Sequence, residues 1–168
     1  MSYARFAAMI ATSTVVMFGL MYLNTYALDH VWFSQTRAWM AVVMGASMAV
    51  IMLGFMWSMY RNKQANLAIF IGSILAFAVA LFLVRSQETV GDVSYMKAMI
   101  PHHSIAIMTS ERAHIRDPRV RKLADGIIAA QVREIAEMEQ LIADLETTPV
   151  PAGAPDLQPS DRRGTASE

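Results

Sequence analysis

Apolar residues fill the first half of the chain, whereas polar and charged residues are concentrated in the second half. Three uncharged runs of about 18–23 residues cover positions 6–28, 38–60 and 67–84. A helix rises about 1.5 Å per residue, so each run has roughly the length needed to cross a ~30 Å hydrocarbon core. The pattern predicts an all-α protein in which residues 1–88 form a membrane domain of three transmembrane helices.

A different pattern follows the third run, where apolar positions recur at helical spacing between polar residues. One helix is predicted from Asp92, taken as its N-cap, to about Arg116, and a second from Pro118 to about Leu145. The residue before a proline disfavours the helix, while proline itself favours the first helical turn, so the break falls at Asp117. Residues 89–146 are therefore expected to form an antiparallel helical hairpin outside the membrane.

The first hairpin helix carries apolar residues on more than one face, and one neighbouring helix cannot cover them all. We therefore expect the hairpin to pack against another copy, another subunit or the membrane surface. A dimer of hairpins gives a four-helix bundle. Residues 147–168 contain four of the six prolines and few large apolar side chains, and we expect this tail to be disordered.

Charges beside the spans predict how the chain lies in the membrane. Arg5, Arg61 and Lys63 flank one side, against Arg37 and Arg85 on the other. Because basic loops stay in the cytoplasm, we expect a bacterial inner-membrane protein with a cytoplasmic N-terminus and a periplasmic hairpin. The formal net charge is zero, with no basic face, which argues against nucleic acid as a partner.

Two ridges run along the second span. Small residues at Ala41, Gly45 and Ala49 allow close approach of a neighbouring helix. Beside them is an unbroken i, i+4 series of methionines: Met40, Met44, Met48, Met52 and Met56. Helix packing explains both ridges, and a thioether pathway for Cu(I) is the alternative interpretation of the second.

The strongest chemical signal is the segment Met96-Lys-Ala-Met99-Ile-Pro-His102-His103. Thioethers select soft Cu(I), and imidazole binds several transition metals. Met96, Met99 and His103 share one helical face at spacings i, i+3 and i+7. A proline within the helix bends it, and we expect the bend at Pro101 to turn His102 toward the same pocket. The chain has no cysteine, which excludes thiolate sites.

The turn at residue 117 also predicts what faces this segment. His103 is expected near Val132 and Met99 near Ala136. This register places one stripe of the second helix opposite the Met96–His103 segment. The carboxylate of Glu134 then either binds the metal or accepts the second N–H of a histidine. This stripe consists of Gln131, Glu134 and Met138.

The predicted metal site, for Cu(I) with Ag(I) as its mimic or for another transition metal, consists of Met96, Met99, His102, His103, Glu134 and Met138. Two alternatives remain beside it. The histidine pair is structural in one, and in the other the Glu111-x-x-His114 step contributes to a di-metal site of the ferritin-like kind.

The stretch from Tyr95 to Leu145 resembles the bacterial family known as domain of unknown function 305, which includes CopM-like periplasmic copper- and silver-binding proteins. The resemblance rests on Met96-x-x-Met-Ile-Pro-His-His103, Ala106-Ile107, Leu123-Ala124 and Ile127-Ile-Ala-Ala-Gln131-x-x-Glu134-Ile135-x-x-Met138. It implies a small ferritin-like helical domain and, in some members, metal binding through Met and His.

These observations predict a membrane-anchored protein that buffers, stores or delivers copper rather than an enzyme. Its expected partners are the lipid bilayer, the metal ion and either further copies of itself or a larger membrane complex. The alternative is an accessory or assembly subunit of such a complex, with a structural His102-His103 pair.

Overall fold

The computed structural model describes residues 2–157, and over that range the chain forms helices and no strand, which confirms the all-α prediction. Residues 158–168, part of the tail that we expected to be disordered, lie outside the described residues. Five α-helices follow one another along the chain, with short 3-10 turns at Leu28–His30 and Trp57–Met59. They are α1 (Tyr3–Leu20), α2 (Gln35–Phe55), α3 (Lys63–Ser86), α4 (Asp92–Arg112) and α5 (Pro118–Thr147).

The first three helices have 18, 21 and 24 residues and mean hydropathies of 1.4, 2.0 and 2.9, which makes them long and apolar enough to cross a membrane. Helix α2 packs against both α1 and α3. Its small-residue ridge is buried, as helix packing requires: Ala41, Gly45 and Ala49. Of the methionines beside this ridge, Met40 is exposed and the other four are partly buried.

The first apolar run reaches residue 28, but α1 already ends at Leu20. The chain turns there because polar groups satisfy the free carbonyls at the helix end. The guanidinium of Arg37 donates to the Met21 carbonyl at 2.8 Å, and the Thr25 hydroxyl donates to the Tyr22 carbonyl at 2.9 Å. Residues 21–34 therefore form a loop rather than the last turns of a span.

The second and third helices also differ from the apolar runs at their ends. Helix α2 begins at Gln35 because the Ser34 hydroxyl caps it, accepting from the Arg37 amide at 3.2 Å. Helix α3 begins at Lys63, where Asn62 caps the Ala65 amide at 3.1 Å. Hydrophobicity thus locates these helices, and capping side chains set their first residues.

Helices α4 and α5 form the predicted antiparallel hairpin. The expectation of Asp92 as N-cap was wrong by one residue: Gly91 is the cap, and Asp92 lies in the first turn, where its negative charge favours the helix dipole. Asp117 caps α5 and Pro118 is its first residue. Helix α4 ends at Arg112 rather than near Arg116, because the reversal toward Asp117 needs extended residues. The hairpin core consists of Met96, Ile100, Ile107, Ile135 and Ile142.

One face of α4 lies on the loop between α1 and α2. The buried hydroxyl of Ser104 accepts a hydrogen bond from the Tyr26 backbone N–H at 2.7 Å and lies 3.0 Å from His30 Nδ1. One heptad earlier, the Lys97 ammonium lies 5.5 Å from the centre of the Trp32 ring. One heptad later, Glu111 lies close enough to the Tyr26 hydroxyl to raise its pKa. Residues seven apart share a helical face, so α4 lies along the loop for most of its length.

The close contact between α1 and α2 predicts that Gly45 tolerates no side chain. A Cβ at this position would overlap the Thr14 hydroxyl, which donates to the Ile10 carbonyl at 2.8 Å. We expect Gly45→Ala to lower the stability of the detergent-solubilised protein by about 1–3 kcal/mol, as overpacking does. Thermal unfolding followed by circular dichroism measures this effect. Gly54→Ala is the control, since nothing lies near a Cβ there, and equal melting temperatures for the two variants would contradict the prediction.

The contact between α4 and the loop predicts a specific cost for Ser104→Ala. The substitution leaves the Tyr26 N–H without its acceptor, which costs about 1–3 kcal/mol for a buried group. We expect faster hydrogen exchange at the Tyr26 amide and looser attachment of the hairpin, measured by hydrogen exchange and limited proteolysis. Ser110→Ala, on the same helix, serves as control, and unchanged exchange in Ser104→Ala would show that the contact does not hold the hairpin.

Candidate metal site

A solvent-open cavity of about 600 Å³ lies between α4 and α5. It is lined by Asp92, Tyr95, Met96, His103, Glu134, Glu137, Met138, Leu141 and Leu145. Four of the six predicted ligand residues are in this set: Met96, His103, Glu134 and Met138. The two helices therefore bring together donors that are more than thirty positions apart in the sequence.

The register of the hairpin is close to the one expected. His103 Nδ1 lies 3.3 Å from Glu134 Oε2, two positions from the predicted neighbour Val132. Gln131 Nε2 lies 3.5 Å from the same oxygen and donates to it. Glu134 thus faces the histidine as predicted, Gln131 contacts Glu134, and Met138 follows in the cavity wall one turn further on.

The ring of His103 is largely buried. Only 13% of its side chain is exposed, compared with 42% for Glu134. Nδ1 is buried, and although it is close to Glu134, the N–H direction does not make a hydrogen bond. A proton on Nδ1 directed at Glu134 leaves the Nε2 lone pair free for a metal.

Burial lowers the pKa of His103 below its ordinary value of 6.5. The Glu134 carboxylate acts in the opposite direction and His102 adds to the lowering, but desolvation is the largest effect. The imidazole is therefore neutral at neutral pH. A neutral ring is the form that binds a metal ion.

The other two predicted ligands lie outside the cavity. His102 is exposed, and its ring centre is 5.9 Å from that of His103. Met99 is partly buried but is not part of the cavity wall. Pro101 lies within α4, which continues through it, so the bend expected to bring His102 into the pocket does not do so.

Several lining residues were missed by the sequence prediction. Asp92 and Tyr95 precede Met96 on α4, and Glu137 lies three residues after Glu134 on α5. Their spacing to the predicted ligands was a usable signal, because residues three or four apart lie on the same helical face. His114 is exposed beyond the end of α4, and within residues 2–157 no group of three or more His, Asp or Glu side chains is arranged to hold a metal.

Comparison with known proteins places this hairpin in a family. The sequence pattern of domain of unknown function 305 (DUF305) matches residues 92–167, which include all of α4 and α5. The chain belongs to the DUF305 family. The DUF305 region thus begins at the first residue of the hairpin, and the three apolar helices precede it.

A viral protein is also similar to this chain. An uncharacterized protein of Acanthamoeba polyphaga mimivirus is 33% identical over 102 residues, which cover 56% of this chain and 67% of the relative. No solved structure matches the chain. The DUF305 match thus identifies the family of the hairpin but names no chemistry for it.

The lowered pKa of His103 predicts a pH dependence of stability. In the unfolded chain the imidazole takes up a proton near pH 6.5, whereas in the folded protein it does so only at lower pH. The stability that the neutral ring contributes to the fold is therefore fully present above pH 6.5. It is lost as the pH falls from 6.5 through the pKa of the folded protein. Thermal unfolding between pH 5 and 7.5 measures this loss.

The variant His103→Gln provides the reference for this experiment, because glutamine keeps a polar side chain that does not titrate. We expect its melting temperature to fall less on acidification than that of the wild type. The rest of the sequence is the same in both proteins, so its contribution to the pH dependence cancels in the comparison. Parallel pH profiles would show that His103 is not buried as described.

Proposed function

We propose that this protein is anchored in a bacterial inner membrane and that its periplasmic hairpin binds Cu(I), or Ag(I) as a mimic. One observation carries the proposal: Met96, Met138 and His103, whose side chains carry two thioethers and an imidazole, line one cavity. Two thioethers and one neutral imidazole form a soft, uncharged donor set, which suits Cu(I) better than Mg²⁺ or Ca²⁺.

The carboxylates around this donor set support a binding role. Glu134 lies beside His103 and can orient the ring, and Glu137 and Asp92 give the cavity a negative rim that attracts cations. The open cavity allows exchange of the ion with other molecules. We therefore propose buffering, storage or delivery of the metal, with no catalytic step assigned.

The proposed location follows from the charges and the order of helices. If α1, α2 and α3 all cross the membrane, the loop of residues 21–34 and the hairpin emerge on the same side, which agrees with the contact between them. The excess of basic residues at Arg5, Arg61 and Lys63 favours the cytoplasm for the opposite side. The metal site then faces the periplasm.

Competition for Cu(I) with a chromophoric chelator tests the proposal. We expect His103→Ala and Met138→Leu to weaken binding by about tenfold or more, and Glu134→Gln by about 10–100-fold if the carboxylate orients the ring. Met96→Leu removes the sulfur and nearly preserves the volume of the core side chain, so it separates ligation from packing.

The chain offers matched controls for this titration. His102→Ala and Met99→Leu remove the same donor types outside the cavity, and we expect them to bind like the wild type. Equal affinity of wild type and His103→Ala would refute a site in this cavity. A loss confined to His102→Ala would place the metal on the exposed side of α4 instead.

An accessory subunit of a larger membrane complex is the second candidate. This candidate is favoured by the exposure of the outer apolar helices. Only 6% of the most apolar stretch of α1, and 6% of that of α3, is buried within the chain, so both helices are open to lipid or to other helices. Gentle solubilisation followed by native gel electrophoresis distinguishes the two. A co-migrating partner of different sequence supports the subunit, whereas copies of this chain alone argue against it.

A further inference from the structure

The arrangement of α4 fixes how the hairpin lies on the membrane domain. Ser104 directly follows His103, so their side chains diverge by about 100°; the first faces the loop and the second faces α5. Helix α5 is therefore beside α4, and the loop of residues 21–34 is beneath α4. Because α4 follows this loop from Lys97 to Glu111, the hairpin lies flat across the ends of α1 and α2.

The side of α5 that faces away from α4 is exposed for its whole length. Ile135 marks the inward side, since it is 4% exposed in the core shared with α4. Gly126 and Asp144 are each nine residues from Ile135, about half a turn round the helix, and both are exposed. Leu123 and Leu141 border this outer face and are 65% and 44% exposed. A shallow groove passes over Leu123, Gly126 and Ala130.

The N-terminal half of α5 is basic and its C-terminal half is acidic, which is the reverse of the order that the helix dipole favours. Residues 118–133 contain four basic side chains and one acidic, whereas residues 134–147 contain five acidic and no basic side chains. A helix prefers acidic residues near its N-terminus and basic residues near its C-terminus. Helix α4 compensates this arrangement at one point, where Lys97 pairs with Glu146 at 2.7 Å. Within residues 2–157, Lys122, Arg133, Glu137 and Asp144 make no ion pair.

We propose that the outer face of α5 is a docking surface for α5 of a second copy of this chain, in antiparallel orientation. Antiparallel pairing brings the basic half of each helix against the acidic half of the other. If Leu123 is opposite Leu141 of the second copy, Arg119 and Lys122 lie on either side of the level of its Asp144. The pairing is two-fold symmetric and self-complementary, which a partner of different sequence has no reason to match.

The membrane allows this pairing because the hairpin lies flat. A two-fold axis perpendicular to the membrane relates two side-by-side α5 helices as an antiparallel pair while both anchors remain in one bilayer. The result is a four-helix layer in the order α4, α5, α5, α4. The proposal does not rest on metal binding, although Leu141, which borders the pairing face, also lines the cavity.

Cross-linking in membrane vesicles tests the surface directly, because the full chain has no native cysteine. In the proposed pairing Ala130 is only about 6 Å along the helix axis from Ala130 of the second copy, whereas the two Leu123 residues are about 27 Å apart. We expect a short bismaleimide to give a dimer with Ala130→Cys and none with Leu123→Cys alone. Co-expressed Leu123→Cys and Leu141→Cys copies with different tags should cross-link to each other.

Each outcome decides a part of the proposal. Monofunctional maleimide labelling first shows that all three cysteines are accessible. No dimer with Ala130→Cys overturns the docking surface, and an equally strong dimer with Leu123→Cys alone overturns the antiparallel orientation. A cross-linked product that contains a different protein would mean a hetero-partner and would also overturn the proposal.

Charge reversal provides a second test that does not depend on cysteines. Lys122→Glu and Asp144→Lys each place like charges opposite one another, and we expect each to weaken the dimer at least about fivefold in sedimentation or light scattering. The double variant restores the pairing with exchanged signs. If the double variant dimerises no better than either single variant, the two residues do not meet. Both side chains are exposed, so neither substitution is expected to unfold the hairpin.

Discussion

The hydroxyl of Ser104 is the interaction on which the orientation of the hairpin depends. It is completely buried, and a buried hydroxyl without partners is costly. The Tyr26 N–H and His30 satisfy it, and both belong to the loop between α1 and α2. This contact joins residues 78 positions apart. It ties the polar half of the chain to the membrane half and leaves little freedom in how α4 is rotated about its axis.

The rotation of α4 then determines what each of its other faces can do. Tyr95 is nine residues from Ser104, about 180° round the helix, so the cavity opens away from the loop and from the membrane helices. Under the proposed function, a metal ion enters from the side that faces away from the membrane helices. His103, between these two directions, faces α5 and meets Glu134. The orientation set by this buried serine thus leaves the cavity open and its imidazole mostly buried.

The membrane helices, the hairpin and much of the cavity could be predicted from sequence, because each depends on a local periodicity. Helical spacing placed Met96 and His103 on one face, and the proline at 118 set the register that brings Glu134 opposite. The position of His102 could not be predicted, since it depends on how far Pro101 bends a helix that is packed on two sides. The end of α1 was also missed, because Arg37, which caps it, lies sixteen residues away.

The apolar residues on several faces of α4 have a cause that a single-helix pattern cannot reveal. We expected these faces to be covered by another copy, another subunit or the membrane surface. One of them is covered by the chain itself, where the loop of residues 21–34 receives Ser104 and places Trp32 against the hairpin core.

Helix α5 differs from α4, because the order of its charges adds a signal to its apolar pattern. Ile135 and Ile142 of α5 are buried against α4, whereas Lys122, Arg133, Glu137 and Asp144 make no ion pair with it in the described part of the chain. Apolar periodicity and charge order are separate signals, and on α5 they identify two different neighbours. An apolar stripe specifies only that some surface is covered, whereas a charge order that opposes the helix dipole specifies the sign and direction of the surface that covers it.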